Sequence, residues 1–312
     1  MIAHLFLRSR AHLLVAIWLL AIASSAPLLA QPASGQFTYP RPNDAVVALV
    51  AAARSGEPDQ LLVMLGPDSK DLVSSGDAVA DKQSLQNFVK MYAQKHLIIS
   101  DAPGYKTLVV GKEDWPLPIP IVRDGTVWYF DSARGREEIL NRRIGKNELG
   151  AIAVCTGYVR AQKEYAAKGH DGLPAGLYAQ KIVSDPDKEN GLYWPEGPGH
   201  TQSPLGPAVA TAAAEGYSGG SSPQPYHGYL YKLLVAQGPD ANGGEKSYLV
   251  DGKQSDGFAM VAYPASYGAG GIMTFIVNQD GVVYQKDLGD DTGTVAPEIL
   301  TFNPDQSWTV VE

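Results

Sequence analysis

The chain has 312 residues, 45% of them hydrophobic and 19% charged, with 33 glycines and 22 prolines. That composition supports a buried core, excludes wholesale disorder, and points to a turn-rich α+β chain rather than a helical bundle; the glycines lack the period of collagen. A formal charge of −8 makes nucleic acid and anionic membrane surfaces poor partners.

Residues 1–30 read as a secretory signal peptide. Arg8 and Arg10 precede an apolar run from Leu13 to Ala23 of about 11 residues, short of the ~20 that span a bilayer. Small residues follow at Ser24, Ser25, Ala26 and Ala30, so cleavage is expected before Gln31; the competing reading keeps the segment as an N-terminal anchor. No cysteine lies near that point, which excludes a bacterial lipoprotein. Cleavage removes two arginines and no acid, taking the formal charge from −8 to −10. No later run approaches the length of a membrane span, so a periplasmic or secreted protein is expected. Cys155 is the single cysteine and no intramolecular disulfide can form. It sits in an apolar helical pattern, as a buried thiol would; a reactive or dimer-forming thiol is the alternative.

Residues 31–42 lack periodicity and read as a flexible leader. Asn43 is expected to cap a helix that Gly56-Glu57-Pro58 breaks. A second short helix is expected over 59–65 and a third over 81–95, where Leu85, Phe88, Val89 and Tyr92 recur at helical spacing. Lys106–Val110 is β-prone. Trp115-Pro116-Leu117-Pro118-Ile119-Pro120 suits an edge strand or a polyproline stretch, because proline cannot donate to a ladder. Asp124-Gly125 between β-prone runs predicts a hairpin. A first domain, helices then antiparallel sheet, is therefore expected over 43–135.

Residues 136–146 are dense in charge and read as a linker, with Glu138 and Arg142 at pairing distance on a helical turn. The longest helix is expected from Asn147 to near Lys168, with Leu149, Ile152, Cys155, Val159 and Ala166 on one face. Gly150 and Gly157 weaken it and permit close packing. An irregular stretch follows over 169–225, containing a short Ala-rich helix and Gly219-Gly220-Ser221-Ser222-Pro223. Strands are expected over 226–235, 258–263, 272–277 and 282–284, the last two joined by Asn278-Gln279-Asp280-Gly281. A second domain over 147–312 thus combines one long helix with an antiparallel sheet.

The chain has no Gly-x-Ser-x-Gly elbow, no phosphate-binding loop, no His-Glu-x-x-His and no cysteine pair for zinc. His96, His170, His200 and His227 remain after cleavage, without ligand spacing. Gly169-His170-Asp171-Gly172 with Asp185, Asp187 and Glu189 lacks the acidic alternation of a calcium loop and reads as a polar turn. No metal or cofactor is expected. Tyr193, Trp194, Tyr226, Tyr229 and Tyr231 stand among glycines and prolines, either as a recognition face or as core under a long loop. Paired arginines at 142 and 143 suit a carboxylate or phosphate, or an internal polar network.

Five segments together resemble the bacterial domain-of-unknown-function family 2950. They are Leu72-Val73-Ser74-Ser75-Gly76-Asp77, Asp114-Trp115-Pro116-Leu117-Pro118-Ile119-Pro120, the run from Arg136-Glu137-Glu138 to Gly145, Pro225-Tyr226-His227-Gly228-Tyr229, and Met273-Thr274-Phe275-Ile276-Val277-Asn278. The resemblance spans the mature chain. It implies an exported bacterial protein and carries no established activity, so no catalytic residue transfers. At the level of architecture, residues 40–135 resemble a nuclear-transport-factor-like or cystatin-like unit. Residues 147–312 resemble a pilin headgroup without the apolar N-terminal half-helix of true pilins. Fold alone does not fix function.

The leading expectation is a non-enzymatic envelope protein that binds a partner protein or small ligand. Its candidate residues are Trp115, Arg123, Arg142, Arg143, Glu148, Trp194, His227, Tyr229 and Tyr231. The alternative is a hydrolase-type enzyme with His227 as base, Glu148 or Asp131 as acid, and Arg142 or Arg143 as anion clamp. A structural envelope component without a discrete pocket is a third reading.

Overall fold

Pro42 opens helix α1 (Pro42–Ser55), because a residue without an N–H loses nothing at the first helical position. Arg41, not Asn43, is the cap residue; it has extended backbone, and its guanidinium grips Asp44 at 2.7 and 2.9 Å. Gly56, left-handed at φ 71°, ends the helix. Helix α2 (Pro58–Leu65) repeats the proline start, and α3 (Lys70–Val73) is a single turn. Helix α4 (Ala78–Gln94) begins three residues before its expected start, because Asp77 caps it.

The computed structural model describes residues 31–197, 199–215, 217 and 224–311. The expected signal peptide and the stretch 219–223 lie outside them. Gln31–Glu312 gather into one unit of backbone contacts.

The first sheet comprises β1 (His96–Ala102), β2 (Tyr105–Val110), β3 (Trp115–Pro116), β4 (Ile121–Asp124) and β5 (Val127–Phe130). Its order is β1-β2-β4-β5, with β3 also on β2, and every pair is antiparallel. The expected hairpin at Asp124-Gly125 is present, with Asp124 opposite Val127. The leader is not loose. Gln36 Nε2 donates to the carbonyls of Met64 and Phe130, and Tyr39 exchanges two backbone bonds with Trp128.

Helix α5 (Ser132–Ala166) runs unbroken for 35 residues. The expected charged linker at 136–146 is its second, third and fourth turns. Glu138 and Arg142 pair on a solvated face, while Arg136 and Arg143 turn toward Asp71 and Leu72, and none of these charges interrupts the helix. Ile139 and Leu140 pack on the first core, formed by α1, α2 and the first sheet. The C-terminal half packs on a second core through Ala151, Cys155, Tyr158, Gln162 and Tyr165. Leu149 is 70% exposed, so the buried stripe is offset from the one expected. Cys155 is fully buried, which pushes its thiol up to about 12.

The Ala-rich helix α6 (Gly206–Ala214) has no buried residue. Beyond it, β6 (Tyr229–Leu234) enters the second sheet. Two short pairs follow: β7 (Ala236–Gln237) with β8 (Lys246–Ser247), and β9 (Leu249–Val250) with β10 (Lys253–Gln254). The sheet is completed by β11 (Ala259–Pro264), β12 (Met273–Asn278), β13 (Val283–Asp287) and β14 (Thr309–Val310). Its order is β14-β13-β12-β11-β6, all antiparallel. One face packs on α5; the other carries a third cluster around Tyr248, Val261, Ile276 and Phe302. Helix α7 (Thr292–Val295) lies between β13 and β14. The α+β class is as expected from the sequence.

Candidate functional site

Asp77 is 1% exposed. Its Oδ1 accepts the N–H groups of Val79 at 3.1 Å and Ala80 at 3.0 Å, which is the ordinary work of a helix cap. Its Oδ2 looks the other way and accepts the Tyr217 hydroxyl and the Gly228 N–H, both at 2.8 Å. One carboxylate therefore joins the start of α4 to residues 140 and 151 positions away. Burial, followed by the hydrogen bond to Asp77, raises the Tyr217 phenol well above its ordinary value.

Gly228 belongs to a tight turn closed by two backbone bonds between Tyr226 and Tyr229. Its central residues both have positive φ, 52° at His227 and 77° at Gly228, as in a type I′ turn. Only glycine fits position 228: a Cβ there would lie 2.4 Å from Asn147 Nδ2. Asn147 is itself buried and donates to Gly270 O at 2.8 Å. The His227 ring rests on Gly150 of α5, where an added Cβ would come within 3.2 Å of His227 Cβ. Of Gly150 and Gly157, Gly150 makes the expected close approach, whereas a Cβ at Gly157 would meet no heavy atom within 4 Å.

The Tyr226 ring lies 4.0 Å from the imidazole, and the Tyr217 ring meets Tyr226 edge-on at 4.8 Å. His227 Nε2 is 3.8 Å from Glu215 Oε2, and its backbone N–H donates to the Tyr217 oxygen at 3.3 Å. Gln83 Nε2 donates to the Glu215 carbonyl. Glu215 Oε2 is buried without a hydrogen-bond partner among the described residues. The His227 and Glu215 side chains are 28% and 34% exposed, so a patch of two tyrosines, a histidine and a carboxylate reaches the surface.

A family model described as "Protein of unknown function (DUF2950)" matches residues 36–311. The chain belongs to this family. No curated protein and no solved structure matches it.

Three of the segments that carry the family resemblance converge here in this DUF2950 chain. Asp77 ends the first and bonds Gly228 in the fourth. Arg143, in the third, is largely buried and donates to the carbonyls of Asp71 and Leu72 and, at 3.5 Å, to Ala269. Desolvation lowers its pKa from the ordinary arginine value. It therefore ties α3 to the loop before β12, and its donors are directed inward.

The remaining sequence-derived candidates are dispersed. Trp115 packs on the first core under Arg142, whose guanidinium lies 5.6 Å from the ring centroid and bonds Glu138 at 2.6 Å. Arg123 covers Trp128 at 6.0 Å. Glu148 Oε1 accepts the N–H groups of Ile272 and Met273 at 3.0 Å and so fixes the start of β12. Asp131 is the cap of α5. Neither acid pairs with His227; Glu215 does. Trp194 and Tyr229 are core residues, 2% and 0% exposed, with Trp194 Nε1 donating to Thr201 O and Tyr229 Oη to Met273 O. Tyr231 packs against the same core. Of the two readings open for these aromatics, the core reading holds: β6 turns the Tyr229 and Tyr231 rings toward α5, and Trp194 packs on the same core from the loop after α5.

Asp77, Glu215 and Tyr217 escaped sequence reasoning. Asp77 carries a capping signal but none for its second oxygen, and Glu215 and Tyr217 sit in a segment read as irregular. Two open clefts of about 390 and 420 Å³ border β13, near Lys286 and Trp308 and near Asp240 and Tyr284; neither is lined by a residue of the His227 patch.

A second polar cluster holds the loop after α5. Glu189 accepts from His170 Nδ1 at 3.1 Å, His200 Nδ1 at 3.3 Å and Thr201 N at 3.0 Å, while His170 stacks on Tyr165. This cluster occupies the acidic stretch read as a polar turn. Among the described residues no group of His, Cys, Asp or Glu is arranged to hold a metal ion. Burial raises the Glu189 pKa, but the bonds from His170, Thr201 and His200 outweigh it and hold the carboxyl below the usual glutamate range. The stabilisation is therefore complete above the ordinary glutamate pKa of ~4.3 and is lost as pH falls through the lower native value. In melts from neutral to acidic pH, Glu189→Gln should lower the neutral-pH melting temperature and flatten the acid limb. An unchanged acid limb would show that Glu189 does not govern it.

Proposed function

We propose that this is an exported envelope protein that works by binding, and that its recognition surface is the patch of Glu215, Tyr217, Tyr226 and His227. One observation carries the reading: a partly exposed histidine occupies a left-handed position that Asn or Gly would fill at less strain, on a turn whose backbone is locked to buried Asp77. Rigid, partly exposed aromatic and charged side chains on a fixed turn are suited to recognition, because little side-chain entropy is lost on contact. The signal features of residues 1–30 support export, and the partner is an envelope protein or a small ligand. Burial and the bond to Asp77 raise the Tyr217 phenol well above its ordinary value, so it is held protonated rather than as an activated nucleophile.

A hydrolase reading is favoured by a different observation, the 3.8 Å approach of His227 to Glu215. There Glu215, rather than Glu148 or Asp131, would orient the base.

Co-purification from envelope extracts separates the two. Wild type should retain a partner that His227→Asn, a residue that keeps the left-handed backbone, and Tyr226→Ala each weaken by about tenfold or more. No partner above background, or one indifferent to both substitutions, would contradict the binding reading. Turnover of ester, peptide or glycoside probes, abolished by Glu215→Gln, would favour the enzyme.

A further inference from the structure

The flank formed by α4 and β1 is unfinished. No residue from Ala78 to Ala102 is buried, although α4 has 17 residues and β1 has seven. β1 is the outer strand of its sheet, and its far edge has no strand partner among the described residues. Leu97 and Ile99 are 37% and 40% exposed on its outward face. Folded proteins usually blunt such an edge with lysine, proline or a bulge. Residues 96–100 contain no lysine or proline, and the one register shift lies at their end, between Ser100 and Ala102.

We propose that β1 is a homodimer interface, in which two copies pair their β1 strands antiparallel about a two-fold axis at Ile98. Such an axis sets Leu97 opposite the partner's Ile99, His96 opposite the partner's Ser100 and Lys95 opposite the partner's Asp101. Each match occurs twice, as an isologous contact requires. Moving the axis to Ile99 sets Leu97 against the partner's Asp101 and Lys95 against the partner's Pro103. Moving it to Leu97 sets Lys95 against the partner's Ile99. Only the Ile98 axis matches apolar with apolar and cation with anion. Because side chains alternate along a strand, the matched Leu97 and Ile99 lie on one face and extend the exposed apolar surface into a four-residue cluster across the two copies. The two charged groups remain available. Lys95 Nζ is 2.6 Å from Asp114, with a half-exposed side chain that keeps further donors, and only Oδ2 of Asp101 is engaged, by Thr107 at 2.6 Å. The contact joins two five-stranded sheets into one. It is independent of the Tyr226–His227 surface.

Sedimentation equilibrium on the purified protein, from low micromolar to submillimolar concentration, should show a reversible monomer–dimer equilibrium. Lys95→Glu and Asp101→Lys should each raise its dissociation constant about tenfold, because two unlike cross-strand pairs become two like ones. The double variant should restore it, and Ile99→Lys should leave a monomer. All three positions are exposed, so melting curves should stay close to wild type; where one shifts, the compensated double variant still reports on the register. A monomer at every concentration, or a dimer indifferent to these changes, overturns the proposal.

Discussion

Asp77→Ala should lower the melting temperature by about 10 °C, the largest loss expected from any single polar side chain here. Four donors lose their acceptor together: Val79 N, Ala80 N, Tyr217 Oη and Gly228 N. Loss of the helix cap costs about 1 kcal/mol, and each further buried donor left without a partner about 1–3 kcal/mol. The sum is about 3–7 kcal/mol, and a unit of this size moves by roughly 2–4 °C for each kcal/mol, so a fall of about 10 °C is the low end of the expectation. Tyr217→Phe removes one donor and leaves Asp77 its other three, so it should cost only about 1 kcal/mol. Asp77→Asn should fall between, since one oxygen still accepts while the amide presents N–H groups to two donors. Thermal denaturation followed by circular dichroism reads all three. A loss of only about 1 kcal/mol for Asp77→Ala, with Tyr217→Phe at the wild-type value, would mean that Asp77 is a cap and nothing more. The same substitution frees the His227 turn, so binding should weaken with stability.

The second large effect is expected at Gly228. Alanine there must adopt φ 77° and place its Cβ 2.4 Å from Asn147 Nδ2 and 3.2 Å from Gly270 O. The left-handed backbone costs about 1 kcal/mol, and displacing a buried amide from its bond to Gly270 another 1–3 kcal/mol. A total of about 2–4 kcal/mol corresponds to a fall of roughly 8 °C. Gly252 supplies the control, with φ 75° and no heavy atom within 4 Å of a built Cβ. Gly252→Ala should show the backbone cost alone, about 1 kcal/mol. If both alanines cost the same, crowding against Asn147 plays no part and the turn is less rigid than described.

Short-range chemistry was legible in the sequence. The hairpins at Asp124-Gly125 and Asn278–Gly281, the proline-limited helices and the long helix follow from turn residues and periodicity read within a few positions. Failures came where a local signal was outweighed. The charges at 136–146 suggested a linker with a helical turn; the turn is present but runs unbroken into the long helix, because Ile139 and Leu140 hold it on the first core. β1 went unread because its partner's register, rather than its own alternation, defines it; the Pro103-Gly104 turn was its only local mark. Trp194 and Tyr229 were ambiguous for a related reason. An aromatic ring among glycines and prolines has the same local pattern whether it faces solvent or the far side of a strand. The candidate site was half legible. His227 stood out as a candidate and Tyr226 only as one of the clustered aromatics, while their partners Asp77 and Glu215 are reached only through tertiary folding.

The central claim is that the Tyr226–His227 surface meets a partner in the envelope. Photo-crosslinking in intact cells from a benzophenone amino acid at position 226 tests it most directly. The account predicts a discrete crosslinked species in the envelope fraction, weakened by His227→Asn and absent when the probe is moved to exposed Val47 on α1. No crosslink from position 226, or the same species from position 47, would contradict it.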